Sequence, residues 1–89
     1  GINMPYIKPE IREMMRPHLQ GVLPYIVSVG DLCYVIYYFM KAFIERDKRF
    51  TTISAAQSAA QCAILELYRR EAAPYEDSKI LENGDVDVP

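Results

Sequence analysis

Residues 30–47 read GDLCYVIYYFMKAFIERD and contain the strongest helical pattern in the chain. Apolar residues recur there every three or four positions, which is the spacing of one face of an α-helix. This stripe consists of Leu32, Val35, Ile36, Phe39, Phe43 and Ile44. Asp31 is a suitable N-cap, so the sequence predicts a helix from Gly30–Asp31 to about Asp47.

The opposite side of this predicted helix is also apolar or aromatic. Its residues are Cys33, Tyr34, Tyr37, Tyr38 and Met40. A surface helix places charged residues there. The run is too short to span a bilayer, which takes about 20 apolar residues, so no membrane partner is expected. Such a helix in a small protein needs cover on both faces, from its own neighbours in the chain and from another chain. We therefore predict a homo-oligomer whose interface contains Tyr34, Tyr37, Tyr38 and Phe39.

The segments on the N-terminal side of this helix are less regular. Pro9 suits the first position of a helix. Pro17 predicts a kink or a restart, and the apolar spacing of residues 19–26 is interrupted by a glycine and a proline. We interpret Met4 as the natural start and residues 1–3 as added.

On the C-terminal side the sequence predicts two further helices. Thr52 is the expected N-cap of an alanine-rich helix that reaches about Ala72, and Pro74 is expected to stop it. Small side chains on this helix favour close approach of another helix. A short helix is predicted after the proline, with Gly84 just past its end.

These elements predict an all-α fold, a compact bundle of three to four helices assembled into a homo-oligomer. A single helical domain over residues 4–84 is followed by an acidic tail, residues 85–89. The length of 89 residues gives only a small core, which again favours oligomerisation. The tail is expected either to contact a basic surface of the chain or of a neighbouring subunit, or to remain solvated.

Composition and motifs exclude several functional classes. The net charge of −2 provides no basic excess, so duplex nucleic acid is not an expected partner. The single histidine, His18, has no nucleophile in a recognisable frame beside it, and the chain has no glycine-rich phosphate loop and no pair of metal ligands at helical spacing. We therefore expect no enzyme, no catalytic residue, no metal and no cofactor. Cys33 and Cys62 lie in apolar segments and are predicted to be reduced thiols in the core.

The best candidate for a ligand site is the group Tyr68, Arg69, Arg70 and Tyr75. Guanidinium groups bind phosphate through two hydrogen bonds, and tyrosine rings stack on nucleobases. The alternative is structural, because Glu66 and Arg70 are four residues apart and can pair along a helix.

Three segments carry a resemblance to a known family. They are the opening MPYIKPE of residues 4–10, the GDL of residues 30–32 that leads to a tyrosine, and the pattern LYRR-x-x-APYED-x-KI-x-ENGDV over residues 67–86. With them the chain resembles a family of short, largely uncharacterised helical proteins encoded by phages and prophages. It departs from that family at Ala55, where an acidic residue is usual, and in the more apolar and proline-rich residues 19–29.

The resemblance implies a phage setting, and hence the cytoplasm of an infected or lysogenic bacterium, but no established activity. By analogy of size and class with small helical phage proteins, we expect a non-enzymatic sponge that sequesters a cyclic or modified nucleotide, a second messenger of host defence. The alternative is a protein–protein interaction module, an adaptor or inhibitor of a host or phage protein that docks through the tyrosines of residues 34–38.

Overall fold

The computed structural model describes residues 6–86, and every regular element in that range is helical. The elements are α1 (Pro9–Val22), a 3₁₀ turn (Leu23–Tyr25), α2 (Val29–Glu45), α3 (Phe50–Leu67), a π-helical segment (Tyr68–Ala72) and α4 (Ala73–Asn83). The prediction of an all-α fold is confirmed. The contacts divide the chain into two units, one ending at Gln57 and one beginning at Ser58. The predictions for residues 1–3, for the Met4-Pro5 start and for residues 87–89 lie outside the described residues.

Helix α1 starts as the sequence predicts and continues further than predicted. Pro9 is at its N-terminus, and Nη1 of Arg12 donates to the carbonyl oxygen of Ile7 at 3.1 Å. The helix does not restart at Pro17 but includes it and extends to Val22. A proline inside a helix removes one backbone hydrogen bond. The remaining backbone hydrogen bonds are sufficient to maintain α1 through Pro17.

Helix α2 begins with a capping box formed by Ser28 and Asp31. Oγ of Ser28 accepts from the Asp31 N–H at 3.1 Å, and Oδ2 of Asp31 accepts from the N–H groups of Ser28 at 2.9 Å and Val27 at 3.1 Å. The predicted N-cap at Asp31 is therefore wrong: the cap is Ser28, and Asp31, the third residue of the helix, is its partner in the box. The hydrogen bonds from these backbone groups lower the pKa of Asp31.

Replacement of Ser28 by alanine should destabilise the chain through loss of this cap. We expect the free energy of unfolding to fall by about 1 kcal/mol, measured by urea denaturation followed by helical circular dichroism. Ser54→Ala is the matched control, because Ser54 lies inside α3, where alanine is the better helix former. Equal losses for the two variants would contradict the capping role.

Helix α3 begins at Phe50, which corrects the prediction of an N-cap at Thr52. The local reason is the turn before it. The Asp47 carboxylate accepts from Nε of Arg49 at 2.9 Å, and the Arg49 N–H donates to the carbonyl of Asp47 at 2.9 Å. The Arg49 carbonyl in turn accepts from the N–H of Ile53 at 3.0 Å, so the first helical turn begins before Thr52 and includes it.

Pro74 does not stop the helix, contrary to the prediction. Proline has no N–H to donate to the carbonyl four residues earlier. The hydrogen-bond ladder widens instead, and the N–H of Ala73 donates to the carbonyl of Tyr68, five residues back. The π-helical segment thus carries the helical path into α4, which ends at Gly84, a glycine with φ of 85°. Its N–H donates to the carbonyl of Ile80 at 2.8 Å.

The chain leaves most of its apolar surface uncovered. Among the described residues, only Ala56 and Cys62 are buried apolar side chains. Cys33 is exposed, contrary to the prediction that both thiols lie in the core, because no layer of the described chain covers that part of α2; no disulfide joins it to Cys62.

Candidate functional site

Three aromatic rings form a connected group on α2. The ring centroids of Tyr34 and Tyr38 are 6.1 Å apart, and those of Tyr38 and Phe39 are 6.0 Å apart in an edge-to-face arrangement with an interplanar angle of 84°. Such edge-to-face pairs are favourable beyond their burial. The three side chains are between 51% and 65% exposed. We call Tyr34, Tyr38 and Phe39 the aromatic surface.

The aromatic surface borders a small apolar groove. The groove has a volume of about 200 Å³, and Val22 and Val35 complete its lining. Tyr37, the fourth residue predicted at an interface, lines a different cavity of about 240 Å³, together with Ile44 and with Ile53 of α3. The structure therefore groups three of the four predicted interface residues and places Tyr37 on the side of α2 near the start of α3.

The predicted ligand cluster is organised around one carboxylate. Oε1 of Glu66 accepts from Nη2 of Arg69 and from Nε of Arg70. The Glu66 side chain is only 16% exposed, whereas the two arginine side chains remain more than half exposed. The Glu66–Arg70 pair is the one that helical spacing predicts. The arginines thus have a protein carboxylate in the position where a phosphate would bind.

The tyrosines of the cluster contact residues of α4. Tyr68 donates its hydroxyl hydrogen to Oε2 of Glu76 at 3.1 Å, and this carboxylate raises the pKa of Tyr68. Eight residues of regular α-helix would leave the two side chains about 80° apart around the axis. The wider π turns reduce that angle, so the hydrogen bond depends on the π-helical segment. The ammonium group of Lys79 lies 5.6 Å from the Tyr75 ring centroid.

A protein-family model, the domain of unknown function DUF6899, matches residues 4–86 of the chain. The chain belongs to this family. Both the aromatic surface and the tyrosine–arginine cluster of this DUF6899 member lie within the matched residues. No curated protein and no solved structure matches it.

Other kinds of site find no support in the described part of this DUF6899 chain. Residues 6–86 contain no group of three or more histidine, cysteine, aspartate or glutamate side chains placed to hold a metal ion. The helices described there are also not long and apolar enough to cross a membrane.

The sequence patterns do not identify Glu76 and Lys79, which contact the two tyrosines, as residues of the candidate site. The spacing of four between Tyr75 and Lys79 was the available signal.

Proposed function

We propose that this DUF6899 chain is a non-enzymatic protein-binding module that first assembles with itself through the aromatic surface of α2. The observation that carries the proposal is that α2 has no buried residue although its sequence is almost wholly apolar from Leu32 to Met40. Large exposed apolar patches mark sites of protein interaction. The connected rings and the adjacent groove provide a defined surface for such contact.

A second copy of this chain is the cover that we propose for α2. Tyr34, Tyr38 and Phe39 are each more than half exposed, and the groove beside them is lined by apolar and aromatic side chains. A second α2 carries the same rings, so two copies can cover each other. The proposal includes a further protein partner, and the resemblance to phage proteins implies that the chain would meet it in the cytoplasm of an infected or lysogenic bacterium.

Sedimentation velocity over a range of protein concentrations tests this proposal. We expect a dimer or a larger species at micromolar concentrations, since the apolar surface of α2 is costly to leave in water. A single species of 10.2 kDa at the highest concentrations would overturn the proposal. Native mass spectrometry of the protein purified from cells would show any retained partner or ligand directly.

A second candidate function is binding of a cyclic or modified nucleotide at Tyr68, Arg69, Arg70 and Tyr75. The specific observation in its favour is the π-helical segment, because such segments occur frequently at functional sites. The exposed guanidinium groups would bind phosphate in competition with Glu66, and a tyrosine ring would stack on the base. With a cyclic or modified nucleotide bound in this way, the protein would act as a sponge that sequesters a second messenger of host defence.

Thermal shifts with a panel of cyclic and linear nucleotides test the second candidate. We expect a nucleotide that stabilises the parent to bind Arg70→Ala about 10- to 100-fold more weakly, the scale of one charge-assisted hydrogen bond. Arg16→Ala is the matched control, because Arg16 also pairs with a glutamate of its own helix, Glu13, but lies on α1 outside the cluster. The absence of any shift in the parent across the panel would remove this candidate.

A further inference from the structure

An open cavity lies where α2 ends and α3 begins. Its volume is about 430 Å³. Phe43 and Ala55 supply apolar side chains, and Arg46 and Arg49 supply guanidinium groups. Asp47 also lines the cavity, and both oxygens of its carboxylate accept hydrogen bonds from Arg49. Arg46 forms no ion pair with any described residue, so the cavity combines an apolar floor with one uncompensated positive charge.

A complementary surface is present on α4. Leu81 is 89% exposed, and Asp77 lies one helical turn before it on the same face. Asp85 follows Leu81 by four residues, just beyond the helix end. Neither aspartate forms an ion pair within the described part of the chain. This acidic, leucine-centred face complements both the positive charge and the apolar floor of the cavity.

The charge of the two units follows the same division. Residues 5–57 contain seven lysines and arginines against five acidic residues, a net charge of +2. Residues 58–89 contain three against seven, a net charge of −4. Opposite charges of this kind favour contact between the second unit of one molecule and the first unit of another.

We propose that Leu81 of a second copy inserts into the cavity at the α2–α3 turn, with Asp77 of that copy paired with Arg46. This inference rests on the self-assembly proposed above and names a second contact within it. A two-fold symmetric pair makes the contact twice, because each copy supplies one cavity and one α4 face. The second copy is the favoured occupant because both complementary surfaces are present in every chain.

Charge reversal in separate chains tests the contact. We expect Arg46→Glu and Asp77→Arg each to weaken self-association about tenfold in sedimentation, since each places like charges together. An equimolar mixture of the two variants should associate as tightly as the parent, because a mixed pair restores opposite charges at both contacts. Leu81→Ala should weaken association without any rescue by mixing. About 0.5 M salt should reduce the charge effects, since it screens exposed pairs.

Lys8→Glu is the matched control, because it makes the same change in net charge on the same unit as Arg46→Glu, at the exposed N-cap of α1 and outside the cavity lining. We expect its association to equal that of the parent. An oligomeric parent with unaffected charge-reversal variants would overturn this contact and leave the proposed self-assembly standing. A single chain that carries both Arg46→Glu and Asp77→Arg provides a further check. If this double variant recovers parental association and the mixture of single variants does not, the two residues pair within one chain, and the proposed contact is overturned. A monomeric parent would overturn both proposals.

Discussion

We expect glutamate in place of Phe39 to prevent the self-assembly proposed for α2. Phe39 packs edge-to-face on Tyr38 and lines the apolar groove beside it. At an interface, the new carboxylate would lose its water without gaining a partner, which costs several kcal/mol. We expect the dissociation constant, measured by sedimentation across a dilution series, to rise by at least about 100-fold. Tyr38→Glu should have the same effect.

Phe50→Glu provides the control for this experiment. Phe50 is 82% exposed at the first residue of α3, and it does not line the groove. An acidic residue at a helix N-terminus is compatible with the helix dipole, so folding should persist. We expect Phe50→Glu to assemble like the parent. Assembly of Phe39→Glu with parental affinity would show that the aromatic surface is not the interface.

The second large effect is expected at Glu66. Its carboxylate is mostly shielded from water and accepts hydrogen bonds from Arg69 and Arg70. Glu66→Ala removes both bonds and leaves two guanidinium groups side by side. Hydrogen bonds between charged groups contribute about 1.5–3 kcal/mol, so we expect the free energy of unfolding to fall by about 2 kcal/mol in urea denaturation.

Glu82→Ala separates this effect from the general loss of a surface charge. Glu82 pairs with Lys79 at 3.3 Å, and both side chains are exposed. Exposed pairs of this kind contribute at most about 1 kcal/mol, and many contribute less. We expect Glu82→Ala to change the free energy of unfolding by no more than a few tenths of about 1 kcal/mol. Similar losses at the two positions would mean that the Glu66 carboxylate does not anchor the arginines.

The helices were predictable from the sequence, because a period of 3.6 residues in apolar side chains requires no tertiary information. The helix ends were predicted less well. The pattern around Asp31 predicts an N-cap there, although Ser28 three residues earlier completes the capping-box pattern. The Thr52 prediction failed because the turn before α3 is fixed by contacts of Arg49 with Asp47. Pro74 predicts the end of a helix, whereas the backbone continues through it with wider turns.

The ligand cluster was predictable only in part. The Glu66–Arg70 pair follows from a spacing of four. The Tyr68–Glu76 hydrogen bond joins residues eight apart, a spacing that does not align in a regular α-helix and that requires the π-helical segment. The sequence also does not show which side chains of α2 are exposed to solvent. A sequence pattern shows that α2 is apolar on several sides, but only coordinates show which of those sides the rest of the described chain covers.

The π-helical segment also makes the chain tolerant to a change in length at one position. In an α-helix, each inserted residue rotates everything that follows by about 100°. A π turn contains one residue more than an α-helical turn. The rotation of α4 relative to the end of α3 is therefore the one that a regular α-helix with one residue fewer would give. Deletion of one residue between Tyr68 and Ala72 should therefore preserve the face that presents Asp77 and Leu81. Family members that differ by one residue here are expected to retain the same surface.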